Sequence, residues 1–85
     1  MIEKELLERI LIKEIINRIS FEQKIPLSFE KVKLTSADGI HYTGKITCGQ
    51  PRRLWDLPII VTVENYDVKW NIDDGLAIGH FIISN

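Results

Sequence analysis

The hydrophobic positions of this chain change period once, and the change separates one helix from a run of strands. Residues 2–19, IEKELLERILIKEIINRI, contain neither Gly nor Pro and are rich in Glu, Leu, Lys and Ile, a composition that favours helix. The pattern predicts a helix ending near Ser20, before Ile25-Pro26 shuts off any continuation. At 100° per residue, Ile2, Leu6 and Ile10 make one apolar stripe, and Ile12, Ile15, Ile16 and Ile19 make another roughly 150° away. Leu7 and Leu11 lie between the two on one side. A helix resting on its own sheet needs one stripe. Two predict a second contact, and in a chain this short the natural source is another subunit. The plainer account is that loops or the chain's own ends cover the second stripe.

After the helix the period becomes two. LSFEKVKLT (27–35) reads as a strand whose apolar parity changes between Phe29 and Val32, which predicts a bulge or bend. Ser36-Ala37-Asp38-Gly39 is a hairpin turn signal. IHYTGKITC (40–48) then alternates, with Ile40, Tyr42, Ile46 and Cys48 on one side and His41, Thr43, Lys45 and Thr47 on the other. LPIIVTVE (57–64) turns Leu57, Ile59, Val61 and Val63 one way. Asn65-Tyr66-Asp67 reverses the chain, and DVKWNI (67–72) points Val68, Trp70 and Ile72 inward. After a turn at Asp73-Asp74-Gly75, LAIGHFIIS (76–84) is apolar on both faces, as a covered strand would be. Short connections imply antiparallel neighbours, so the fold class expected is α+β: one N-terminal helix packed on a curled antiparallel meander of about five strands, like a small open barrel.

Size adds a constraint. A chain of 85 residues reads as a single domain, 1–85, near the lower limit for one hydrophobic core. Domains this small often lean on disulfides, metals or self-association. One cysteine, Cys48, forms no internal disulfide, and no Cys/His cluster offers a metal staple. Self-association is then the support most easily reached, so a homo-oligomer is expected. Eleven basic and twelve acidic residues give a formal net charge of −1, unlike the strongly basic balance of a dedicated nucleic-acid binder. No segment reads as a signal or transit peptide or as a membrane span. With one reduced thiol the cytoplasm is the expected compartment, and the Ile and Lys content fits a bacterial or phage origin.

Catalytic chemistry finds little footing. His41 precedes Cys48 by seven residues on one strand, an odd spacing that sends the two side chains to opposite faces. His41 and His80 stand alone, without the spacings of metal sites, and Asp73-Asp74-Gly75 lacks the alternating ligands and closing Glu of a calcium loop. The five glycines are scattered singly. No catalytic residue, metal ligand or cofactor is therefore nominated. A hydrolase using Cys48 or His80 is the least favoured reading.

The stretch that carries the functional expectation is CGQPRRLWDLP, residues 48–58. Its two prolines predict a connection outside regular structure. Arginine supplies a planar fork for phosphate or carboxylate, and an exposed indole a stacking face; both dominate interface hot spots. The candidate binding residues are Arg52, Arg53 and Trp55, joined by Lys45 and His41 on the strand face leading towards them, with Lys31 and Lys33 placed on the adjacent strand. The competing account is that Trp55 folds back to cap one end of the sheet.

At VKLTSADGIHYTGKI (32–46) the chain resembles the first motif of the Sm-like fold, in its helix, five-strand count and Asp38-Gly39…Gly44 spacing. The last strand places Gly79 at that family's second-motif glycine. The resemblance implies an N-terminal helix, five bent strands, rings of subunits and RNA bound near the pore. The chain departs from it at Ile78, where a basic residue is expected, and after Lys45, where acidic and Asn residues are expected. Those are the RNA-site positions. The leading expectation is therefore a small non-enzymatic binding protein, an adaptor, inhibitor or immunity-type module with a protein partner. The alternative is an oligomeric protein that binds or sequesters a nucleotide or short RNA through the Arg/Trp loop 49–58.

Overall fold

The computed structural model describes residues 3–23, 28–50 and 52–83. Helix α1 (Lys4–Gln23) precedes five strands, β1 (Ser28–Thr35), β2 (His41–Gln50), β3 (Arg53–Glu64), β4 (Asp67–Ile72) and β5 (Ala77–Ile82). The strands form one antiparallel sheet in sequence order, β1-β2-β3-β4-β5. The α+β meander read from the sequence is thus the fold, with β1 and β5 left as the edges of a sheet that does not close. No helix among the described residues is long and apolar enough to cross a membrane.

α1 runs to Gln23, three residues past the expected end at Ser20. Ile2 and the Ile25-Pro26 stop lie outside the described residues, as does the side chain of Ile19. The helix turns neither expected stripe squarely inward. Its fully buried line is Leu7, Leu11 and Ile15, one residue every fourth position down the middle of the apolar arc. Leu6 and Ile16 stay exposed on the far side, while Ile10 and Ile12 are half-buried flanks. Counting apolar residues per stripe missed this because a sheet contacts an arc more than 100° wide, and its centre is fixed by the best-packed line.

α1 packs chiefly on β1 and also reaches β5. A hydrogen bond ties it to the edge of the sheet: the Leu34 N–H donates to Glu8 Oε2 at 2.7 Å. An edge strand leaves every second N–H without a sheet partner, and a glutamate from the helix occupies this one.

The core lies between helix and sheet. Leu7, Leu11 and Ile15 meet Val32, Leu34, Tyr42, Ile46, Ile59, Val61, Val68, Trp70 and Ile72, all buried. These are the inward positions that the period of two predicts. The parity change in β1 is a register shift between Phe29 and Lys31, so the predicted bulge is present and keeps Phe29, Val32 and Leu34 on one side. Trp70 pairs with Gly79 across β4 and β5. A Cβ at Gly79 would stand 2.7 Å from Cε2 and 3.0 Å from Nε1 of the Trp70 indole. The glycine is the hollow that receives the ring.

The turns carry their own chemistry. Glu64 pairs with Asp67, leaving Asn65 (φ 49) and Tyr66 (φ 70) as a two-residue loop with both centres in the left-handed region, as a primed hairpin turn demands. Asp73 and Asp74 are left-handed too, and Asn71 Oδ1 accepts the Gly75 N–H at 2.7 Å to hold that turn.

One expectation fails at β5. It is an edge, not a covered strand: Ile78 is 59% and Ile82 71% exposed. Its inward residues Ala77, Phe81 and Ile83 pack on the core, and the opposite parity faces out uncovered.

Candidate binding surfaces

The stretch expected to be an irregular loop is the end of the longest hairpin. β2 continues through Gln50 and β3 begins at Arg53, with Cys48↔Trp55, Gly49↔Leu54 and Gln50↔Arg53 in register. Only residues 51 and 52 lie between the strands; Arg52 is in the turn and Pro51 lies outside the described residues. Pro58 misled the reading because proline normally breaks an interior strand. Its carbonyl accepts the Asp73 N–H at 2.8 Å, just past the end of β4. The nitrogen of the same residue faces that side as well, where β4 has already turned away and no ladder bond is forfeited.

The five nominated residues therefore do not form one site. Trp55 stands opposite Cys48 on the inner face, 37% exposed, and Arg53 shares its parity. Lys45 and His41 lie on the outer face. The sheet itself separates the two sets.

On the outer face the lysines do gather. Lys33 is directly opposite Lys45, and Lys31 is opposite Thr47. All three are exposed, and among the described residues their side chains make no ion pair or hydrogen bond. Thr47 Oγ1 donates to Asp56 Oδ1 at 2.7 Å, so the neighbouring carboxylate is already engaged. Like charges facing each other across a ladder repel, and an anion laid between them would relieve that.

His41 sits at the mouth of the β1–β2 turn. Asp38 Oδ1 accepts the backbone N–H groups of Ile40 and His41, each at 2.8 Å, and its Oδ2 is 2.9 Å from His41 Nδ1. The bond from the His41 ring, followed by the two backbone N–H groups, holds the Asp38 carboxyl far below the usual carboxylate range. The same Asp38 bond and charge raise the His41 pKa, with a smaller push from Glu64. Both side chains are exposed. The pair organises the turn and leaves Nε2 facing solvent.

Cys48 is 1% exposed, and burial, reinforced by the Asp56 charge, pushes its thiol pKa up. It faces inward and His41 outward, as the odd spacing predicts. Among the described residues no three His, Cys, Asp or Glu side chains come together as a metal site.

What the sequence reading overlooked is apolar. Ile60, Ile78 and Ile82 lie on the outer face at 57%, 59% and 71% exposure, and Leu76 and Tyr66 in the flanking turns at 62% and 57%. The signal was available: alternation puts Ile78 and Ile82 on the same side as His80 and Ile60 beside Thr62. Ile60, Asn71 and Ile78 form one row across three strands. Comparison with family models, with curated proteins and with solved structures finds no match in any of the three.

Proposed function

We propose that this chain is a small protein-binding module, an adaptor, inhibitor or immunity-type partner with no catalysis of its own, and that it works as a homo-oligomer. The observation that carries the reading is the uncovered apolar margin along β5, where Leu76, Ile78, Ile82 and Tyr66 are each more than half exposed. Exposed apolar residues scattered singly are ordinary; several gathered along one open strand edge mark an interaction surface.

A second reading draws support from the outer lysines. Lys31, Lys33 and Lys45, crowded and without ion-pair partners among the described residues, suit a phosphate-bearing ligand such as a nucleotide or short RNA. Lys45 shares the β2–β3 hairpin with Arg52 and Arg53, but Arg53 faces the other side of the sheet and takes no part in this patch.

Native mass spectrometry of the gently purified protein separates the two. A protein adduct lost in Ile78→Lys and kept in Lys33→Glu/Lys45→Glu is the expected result. A phosphate-bearing adduct with the opposite sensitivity, weakening steeply with salt, would replace the first reading by the second.

A further inference from the structure

We infer that the β5 edge joins two copies of this chain, strand to strand, about a two-fold axis that passes between their two His80 residues. The inference rests on the protein-binding reading and names its partner as a second copy.

The two edges of the sheet are treated differently. On β1 the Leu34 N–H is taken by Glu8, the helix packs alongside, and Glu30, Lys31 and Lys33 put charge on the strand. Each of these is a known way of closing an edge. α1 touches β5 as well, less extensively than β1, but among the described residues it places no side chain on the β5 backbone, and the strand carries no charge. Between Ala77 and Ile83 there is no Asp, Glu, Lys or Arg. The Ile83 N–H donates to Tyr66 O at 2.7 Å. By antiparallel alternation, the backbone groups of Ile78, His80 and Ile82 then point away from β4. Among the described residues these groups have no hydrogen-bond partner.

An open edge meeting a closed one gives no head-to-tail chain, so β5 has to pair with β5. Such a contact is isologous and stops at two. Antiparallel pairing centred on His80 sets Ile78 against the partner's Ile82 and Ile82 against the partner's Ile78. The Leu76/Ile78 end of one strand meets the Ile82/Tyr66 end of the other. His80, the one ionisable side chain of β5, faces its own copy, and no Asp, Glu, Lys or Arg of the strand opposes another. Lys69 is one strand further in, opposite His80 on β4.

Size decides the strength. The four exposed side chains offer roughly 400–500 Å² of apolar surface per protomer, which with the strand edge brings the pair close to the ~1,000 Å² total expected of a specific contact. That is the small end of the range, the class of weak contacts, so association is sought from about 1 μM to about 1 mM chain.

Sedimentation velocity of the purified chain across that range reads the association directly. Wild type is expected to pass from monomer to dimer and no further. Ile78→Lys and Ile82→Lys should each weaken the dimer at least about tenfold. Ile60→Lys, at an equally exposed site two strands in from the edge, should leave it unchanged. His80→Cys should give a covalent dimer on mild oxidation, because facing residues of such a ladder are about 5.5 Å apart, within disulfide reach. A monomer at every concentration overturns the inference, as does a dimer indifferent to Ile78 and Ile82 or one that His80→Cys does not cross-link. A monomer that still loses a protein adduct in Ile78→Lys overturns the second copy while leaving the protein-binding reading intact.

Discussion

Replacing Gly79 by alanine tests the central packing contact of the sheet. The new methyl carbon would come nearest to Cζ2 of Trp70 and lie 2.7 Å from its Cε2 and 3.0 Å from its Nε1, whereas carbon contacts settle near 3.5–4.0 Å. The indole has to retreat by about 1 Å. It is 3% exposed and packed in the core, so the retreat displaces its neighbours, an overpacking that costs roughly 1–3 kcal/mol. Alanine in a strand recovers about 0.5–1 kcal/mol that glycine loses to backbone freedom. The net expectation is a loss of about 1–2 kcal/mol, or a fall of roughly 5–15 °C in Tm for a chain of this size. Urea unfolding followed by circular dichroism, at concentrations too low for association, should show a lower midpoint at unchanged slope. The decisive comparison is the same substitution in a Trp70→Leu background. There the smaller side chain leaves Gly79 uncovered, and Gly79→Ala should be neutral or slightly stabilising. Equal costs in both backgrounds, or no cost in either, would show that the ring does not depend on the hollow.

Glu8→Ala should destabilise by about 1–2 kcal/mol, because it strips the charged acceptor from the Leu34 N–H; Glu8→Gln, which keeps an oxygen there, should cost less than half as much in the same unfolding assay. The Asp38–His41 pair sets a pH window. Asp38, with its pKa lowered, stabilises above its unfolded value near 4 and loses this as pH falls through the folded value; His41, with its pKa raised, stabilises below its unfolded value near 6.5 and loses this as pH rises through the folded one. The pair's contribution is therefore full from about pH 4 to 6.5. A thermal-stability difference between wild type and His41→Ala that grows above pH 7 would contradict this sign. Tyr66→Gly should raise stability by about 0.5–1 kcal/mol, since a left-handed φ of 70° strains tyrosine and suits glycine; a loss measured on the monomer would mean that the ring packs in a way that outweighs the strain.

Strand positions, the β1 bulge and the inward residues of β2 to β4 follow from alternation, because each strand hides one face and shows the other. The features that escaped depend on which neighbour is absent. Pro58 is tolerated in β3 only because β4 has ended beside it, a fact about another part of the chain. Leu7, Leu11 and Ile15 became the buried line only when a sheet edge chose the middle of a broad arc. The strand at Ala77–Ile82 looked covered because its outward residues are as apolar as its inward ones, and local sequence does not record that it is last in the sheet. The same blindness split the nominated site: Arg53 and Trp55 are close to Lys45 in sequence, yet strand parity puts a sheet between them.

Strand order has a consequence for how the chain reaches this structure. Each ladder joins strands adjacent in sequence through a short turn, so every hairpin can zip as soon as its second half exists, at little loop-closure cost. The contact of α1 with β5 is the exception, linking Lys4–Gln23 to Ala77–Ile82 across almost the whole chain. During synthesis the helix can dock on β1 early, while Trp70 waits for Gly79 to arrive. The hollow that seats the indole is therefore completed only when Ala77–Ile82 joins β4, which makes the fifth strand the latch of a core assembled by the other four and the helix.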